Sequence, residues 1–224
     1  MTTTDELKFI ATPDKGEVSA LLLRPADATH LLVLGHGASS NMRTPLLEKI
    51  AAALAAERIA TFRYNFPYSE KGGGRNSNLT CIATVRSAVS AAAEAGPELP
   101  LLAGGHSFGG RMTSHAASEG SIAGVKGIVL FSFPLHPAGQ RGTSRADHLQ
   151  NVDVPMIFLS GTRDDLAHLD LLKPIVAGLG PKATLHLVDM ADHSFKVLKR
   201  SRNTDEEVFA EMARVVSNWS RSLP

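Results

Sequence analysis

One cysteine, Cys81, stands in 224 residues, so an intramolecular disulfide and any cysteine-rich metal site are excluded. Excess charge is also missing. Lys+Arg number 23 against Asp+Glu 22, a net charge of +1, which leaves no electrostatic footprint for nucleic acid or an anionic membrane surface. No apolar run approaches the ~20 residues of a membrane span. The opening Met1-Thr2-Thr3-Thr4-Asp5-Glu6 is polar and acidic where a secretion signal would need a basic flank and an apolar core. There is no H-E-x-x-H, no paired Cys-x-x-Cys, no Walker or dinucleotide fingerprint, no internal repeat and no low-complexity tract. These absences predict one cytoplasmic domain over residues 1–224, with small molecules as partners and no cofactor or metal; they say nothing about oligomeric state.

What is present is alternation. Leu7–Ile10 and Val18–Leu23 flank the turn-rich Thr12–Gly16, which predicts an antiparallel hairpin. A continuous apolar run follows at Leu31–Leu34, the pattern of a strand covered on both faces in a parallel sheet, and further strands are read at Ile59–Tyr64, in the short apolar run from Leu99, at Gly127–Phe131 and at Val154–Leu159. Thr184–Val188 alternates weakly as a last strand. Between them lie helical patterns. Thr44-Pro45 opens one bearing Leu46, Leu47, Ile50, Ala51 and Leu54; Ile82, Val85 and Val89 mark another, stopped by Gly96-Pro97. Leu169–Leu179 is interrupted by Pro174. Thr204–Glu207 reads as a capping box before a closing helix with Phe209, Met212, Val216 and Trp219 on its buried stripe. Phe66-Pro67-Tyr68, Lys71–Arg75 and Ser132–Asp153 read as loops. The sum is an α/β chain with a mostly parallel, doubly wound sheet and an N-terminal hairpin.

In such a sheet, ligands bind outside the carboxyl ends of the strands. Leu99–Met112 reads strand, tight turn, helix, and its centre Gly105-His106-Ser107-Phe108-Gly109 fits G-x-S-x-G, in which glycines permit a sharp turn that lifts the serine hydroxyl clear of the sheet. Ser107 is therefore the candidate nucleophile. A serine hydroxyl needs a base, and His193, just after the last strand, is the one of nine histidines with a strand-end setting in the serine–acid–histidine order of acyl-transfer enzymes. His36 and His106 belong to glycine turns and read as loop supports. The acid that orients the base is Asp164, first after the Gly161-Thr162-Arg163 turn, with Asp165 the open alternative and Asp192 adjoining His193. Backbone N–H groups of Ala38, after the third strand, and Phe108 would hold an oxyanion. Phe66, Tyr68 and His136 could wall a substrate pocket. Lys71–Arg75 could bind a carboxylate or phosphate, although glycines with flanking cations more often form a solvated loop.

With G-H-S-F-G at 105–109, H-G-A at 36–38, G-T-R-D at 161–164 and D-H at 192–193 in order, the chain resembles the α/β-hydrolase superfamily over nearly its whole length. F-P-Y at 66–68, G-G-R-M at 109–112 and P-L-H-P at 134–137 look like a lidless branch that includes dienelactone-hydrolase-like proteins, a testis-expressed protein and a chromatin-complex subunit. The resemblance implies an α/β-hydrolase fold without a cap domain, since Ser132–Asp153 leaves room only for a loop. It also implies a serine hydrolase, carboxylesterase or thioesterase-like, working through an acyl-serine with Ser107, Asp164 and His193. Dienelactone hydrolases proper use a cysteine nucleophile, so their substrate does not carry over. Members of the branch also serve as interaction subunits, which makes a non-catalytic scaffold the alternative.

Overall fold

The computed structural model describes residues 1–197 and 207–224. Eight strands form one sheet: β1 (Thr2–Thr12), β2 (Gly16–Pro25), β3 (His30–Gly35), β4 (Ile59–Tyr64), β5 (Leu101–His106), β6 (Val125–Phe131), β7 (Met156–Gly161) and β8 (Ala183–Val188). Their order across the sheet is β1-β2-β4-β3-β5-β6-β7-β8. The β1–β2 and β2–β4 pairs are antiparallel and the rest parallel, so the hairpin is an antiparallel flank on a parallel body.

Helices cover both faces because the strands are apolar on both. Successive side chains of a strand point to opposite faces. Accordingly Leu31 and Val33 of β3 join one core cluster, while Leu32 and Leu34 join the other. The first core packs under α3 (Asn78–Ala95), α4 (Phe108–Ser118) and α5 (Leu169–Gly178); the second packs under α1 (Pro45–Ala56) and α6 (Val208–Ser220). Cys81 is free and buried in α3. β8 is an edge strand and keeps several residues half-exposed, which is why its alternation is weak in the sequence.

Some local expectations change. Phe66-Pro67-Tyr68 is not loop alone, because Pro67 starts the short helix α2 (Pro67–Lys71) with φ preset for a first turn. Glu70 of that helix accepts hydrogen bonds from the Ser19 N–H and hydroxyl and from the Asn65 amide, which ties it to the sheet. Ser132–Asp153 contains a 3-10 helix at Ser144–Asn151. Phe209 and Trp219 of α6 are half-buried rather than core, the buried stripe being Val208, Met212, Ala213 and Val216. Thr204–Asp205–Glu206 of the capping box lie outside the described residues, and Glu207 is extended before α6 without a side-chain cap. Among the described residues no helix is long and apolar enough to cross a membrane, and no element caps the sheet end that carries the site.

Candidate active site

The parallel strands all end on one side, so the turns after β3, β5, β7 and β8 meet there. Two glycines decide how tightly. A Cβ on Gly105 would lie 2.6 Å from the Gly35 carbonyl oxygen, and one on Gly109 would lie 2.4 Å from the backbone carbon and oxygen of Gly35. Any other residue would push β3 and the β5–α4 turn apart. Between them Ser107 has φ 52 and ψ −110, a strained conformation for a residue with a side chain. It is held by its N–H donating to the Phe131 carbonyl at 2.9 Å.

The turn aims the hydroxyl at His193. Nε2 of His193 lies 2.9 Å from Ser107 Oγ, and Nδ1 lies 2.9 Å from each Asp164 carboxylate oxygen. An ionised carboxylate can only accept, so Nδ1 carries the proton, Nε2 is the acceptor, and the Ser107 hydroxyl donates to it. The structure thus brings Ser107, His193 and Asp164 into one hydrogen-bonded chain. Asp164 is 3% exposed and its Oδ1 also accepts from the Leu166 N–H at 2.8 Å, which fixes the carboxylate. Its neighbour Asp165 is exposed and makes no such contact.

The loops bearing Asp164 and His193 are laced to each other. Thr162 and Arg163 donate their N–H groups to the carbonyls of Val188 and Ala191, and the Thr162 hydroxyl accepts from the Met190 N–H at 2.8 Å. Asp192 serves its own turn instead. Its Oδ1 accepts from the N–H groups of Ser194 and Lys196 at 2.8 and 2.9 Å, closing the turn that presents His193.

Two further histidines hold backbone. His106 Nε2 lies 2.9 Å from the His193 carbonyl oxygen, and burial pushes the His106 pKa down to about 4, so the neutral ring donates there. His36 Nδ1 lies 2.7 Å from the Gly37 carbonyl, while Nε2 accepts from the Phe66 N–H and faces the Ser69 hydroxyl at 2.9 Å. Burial likewise takes His36 to about 4. The loop carrying Ala38 is therefore tied to α2 by an uncharged ring. The N–H groups of Ala38 and Phe108 donate to no acceptor among the described residues, and Phe108 is the first residue of α4, where such a group is left free.

Of the three residues read as pocket walls, Tyr68 lines an opening. It borders a cleft of about 460 Å³ together with Ala38, Asn41, Gly73 and Arg75. Phe66 is 0% exposed, its ring edge-on to His36, Tyr64 and Phe108, so it supports the wall from behind. His136 is 2% exposed and stacks on His168, with centroids 5.5 Å apart. A fully apolar ring between strand ends is worth more in the core than at a wet surface, which is why Phe66 is withdrawn. Sequence reasoning had no means to group two arginines on Phe108, with a third acting on one of them. Arg75 and Arg111 place their guanidiniums 5.0 and 5.6 Å from its ring centroid, and Arg145 acts electrostatically on Arg111. A second opening of about 530 Å³ is lined by Asp164, Asp165, His168 and Asp192.

A family model described as an alpha/beta hydrolase domain matches residues 28–221. Among solved structures, the chain is similar to a dienelactone hydrolase from Anabaena variabilis, at 17% identity with TM-score 0.77, covering 99% of this chain and 98% of that one. It is also similar to a serine hydrolase without a lid from Xanthomonas campestris, at 17% identity and TM-score 0.73, over 100% and 97% of the two chains. A cold-adapted esterase from an Arctic intertidal metagenomic library follows at 19% identity and TM-score 0.68, over 97% and 94%. At these identities the likeness is one of fold.

Proposed function

The chain belongs to the alpha/beta hydrolase domain family, and from that premise we propose that it is a serine hydrolase that cleaves a carboxylic ester or thioester of a small molecule. The observation that carries this reading is the unbroken hydrogen-bond chain from Ser107 Oγ through His193 to Asp164. His193 Nε2 takes the hydroxyl proton as Ser107 Oγ attacks the carbonyl carbon. The carbonyl oxygen becomes an oxyanion, met by the free N–H groups of Ala38 and Phe108, with the N-terminus of α4 adding its positive end. The bond to the leaving oxygen or sulfur then breaks as His193 returns the proton to it, leaving an acyl-serine. Water, deprotonated by His193, attacks the acyl carbon and releases the acid. Asp164 keeps Nδ1 protonated and stabilises the imidazolium formed in each half-reaction. A cytoplasmic setting belongs to the same reading and is supported by the free, buried Cys81 thiol.

Labelling with a fluorescent fluorophosphonate, which reacts with activated serines, tests the nucleophile directly. Wild type should label and Ser107→Ala should not. Ester turnover should fall by about 10⁶ in Ser107→Ala or His193→Ala and by about 10⁴ in Asp164→Asn, with Asp165→Asn close to wild type. Folded wild type that neither labels nor turns over esters would defeat the reading.

A further inference from the structure

The arginines of this chain divide by what they touch. Arg24, Arg43, Arg58 and Arg141 each pair with a carboxylate. Arg86 donates to three backbone carbonyls. The side chains of Arg75 and Arg111, in contrast, make no hydrogen bond and no ion pair among the described residues, and Arg111 Nε is buried without a partner there. Leaving a charged donor unsatisfied away from water costs free energy, because its hydration is lost and nothing replaces it.

These unpaired cations gather at one place. Both guanidiniums lie against the ring of Phe108, the residue after Ser107, and Arg111 sits one helical turn beyond the serine, its N–H donating to the Ser107 carbonyl. Arg75 comes from the loop before α3 and lines the cleft that Ala38 borders. Arg145, from the 3-10 helix at Ser144–Asn151, is held by donating to the His136 carbonyl at 2.8 Å. Among the described residues, the charged neighbours that act on Arg111 are cations, Arg145 and Arg75. Burial and this repulsion push Arg111 down to about 10, so it is still charged at neutral pH. Two elements far apart in sequence thus deliver like charges to the ring beside the reacting serine, and Arg145 adds its repulsion, an arrangement that repels itself until an anion arrives. The phenyl ring holds two of the forks by cation–π contact, so little ordering is left for a ligand to impose.

We propose that Arg75 and Arg111 form a receptor for an oxyanion, a carboxylate or a phosphate, carried by the ester that Ser107 attacks. This rests on Ser107 being the nucleophile. A guanidinium fork matches either group with paired hydrogen bonds, and the Nη atoms of Arg75 and Arg111 have no partner among the described residues. The substrate class that follows is an anionic ester or thioester rather than a neutral lipid-like one.

The test compares three acetate esters of similar size: methyl 4-acetoxybenzoate, 4-acetoxybenzoate and 4-acetoxyphenyl phosphate. Wild type at low salt should show kcat/KM about tenfold or more higher for at least one anionic ester than for the methyl ester, and 0.5 M NaCl should shrink that ratio. The better of the two anions identifies the source. Arg75→Gln, at an exposed position where folding is not at stake, and Arg111→Gln should each lower the ratio about tenfold, whereas Arg24→Gln should not change it. An anionic preference that is absent in wild type, or that survives both substitutions, overturns the receptor. Calorimetric binding of the same esters to Ser107→Ala separates the two readings. Arginine-dependent binding there, with wild type inert to fluorophosphonate and to all three esters, keeps the receptor and removes the acyl-serine mechanism. Labelled wild type that hydrolyses the methyl ester as fast as the anions keeps the mechanism and removes the receptor.

Discussion

The turn from β5 into α4, which carries Ser107, is held by backbone against backbone, whereas the loops after β7 and β8, which carry Asp164 and His193, add to a backbone contact of their own, Gly161 against Ala191, a set of side chains that accept amide N–H groups. In the first arm Gly105 and Gly109 let the turn press onto Gly35, and nothing larger fits. In the second, Thr162, Asp164 and Asp192 accept N–H groups of Met190, Leu166, Ser194 and Lys196. The two arms meet at His193, where His106 of the serine turn donates to the histidine's own carbonyl. The difference teaches where each arm should fail. A steric fit fails as a whole, because packed backbone has no cheap way to shift, while a hydrogen-bond lattice loses one bond at a time.

Gly109→Ala should have the largest effect. Its Cβ would meet Gly35 backbone at 2.4 Å, so the expected loss exceeds about 4 kcal/mol and soluble folded protein should be scarce. A variant that melts cooperatively near the wild-type temperature would break the contrast between the arms. Asp192→Ala should do less. Two N–H groups lose their acceptor, for about 1–3 kcal/mol, and the turn that presents His193 slackens. Turnover should fall by about 10–100-fold while the protein stays folded, with fluorophosphonate labelling slowed to a similar degree. Acid should have the smallest effect, and the rings of the serine side share it with His148, which burial also pushes down to about 4. His36 and His106 are pushed by burial to about 4 in the folded protein against an ordinary value near 6.5. Between those values the unfolded chain binds more protons, so their contribution is present at pH 7 and is lost as pH falls from about 6.5 towards 4. Chemical denaturation at pH 7 and pH 5 should show a loss on the order of 1 kcal/mol per buried ring. His106→Gln should flatten that slope; a slope identical to wild type would detach the ring from it.

The serine arm was the legible one. Gly105-His106-Ser107-Phe108-Gly109 announces itself because its physics is local: a strand must reverse into a helix within a few residues, and only small residues allow it. The runs at Leu31–Leu34 and Val154–Leu159 were legible for a similar reason, since a strand buried on both faces has no polar position. The choice among Asp164, Asp165 and Asp192 was not. Adjacent residues of a turn point in different directions, and which one meets Nδ1 depends on how two loops from different strands are bonded together. Phe66 and His136 misled for a related reason, as proximity to strand ends in sequence does not say which ring faces water and which faces the sheet.

By itself, then, the sequence determined the alternation of strands and helices, the hairpin at the start, and a serine on a glycine turn, because each is set by sterics and hydrophobic period over a handful of residues. Which aspartate reaches His193, that His36 and His106 are backbone clamps, and that Arg75 and Arg111 both lie against Phe108 came only with the packed fold. Those are contacts between segments far apart in the chain, and their partners are chosen by the packing of the sheet rather than by any neighbour in sequence.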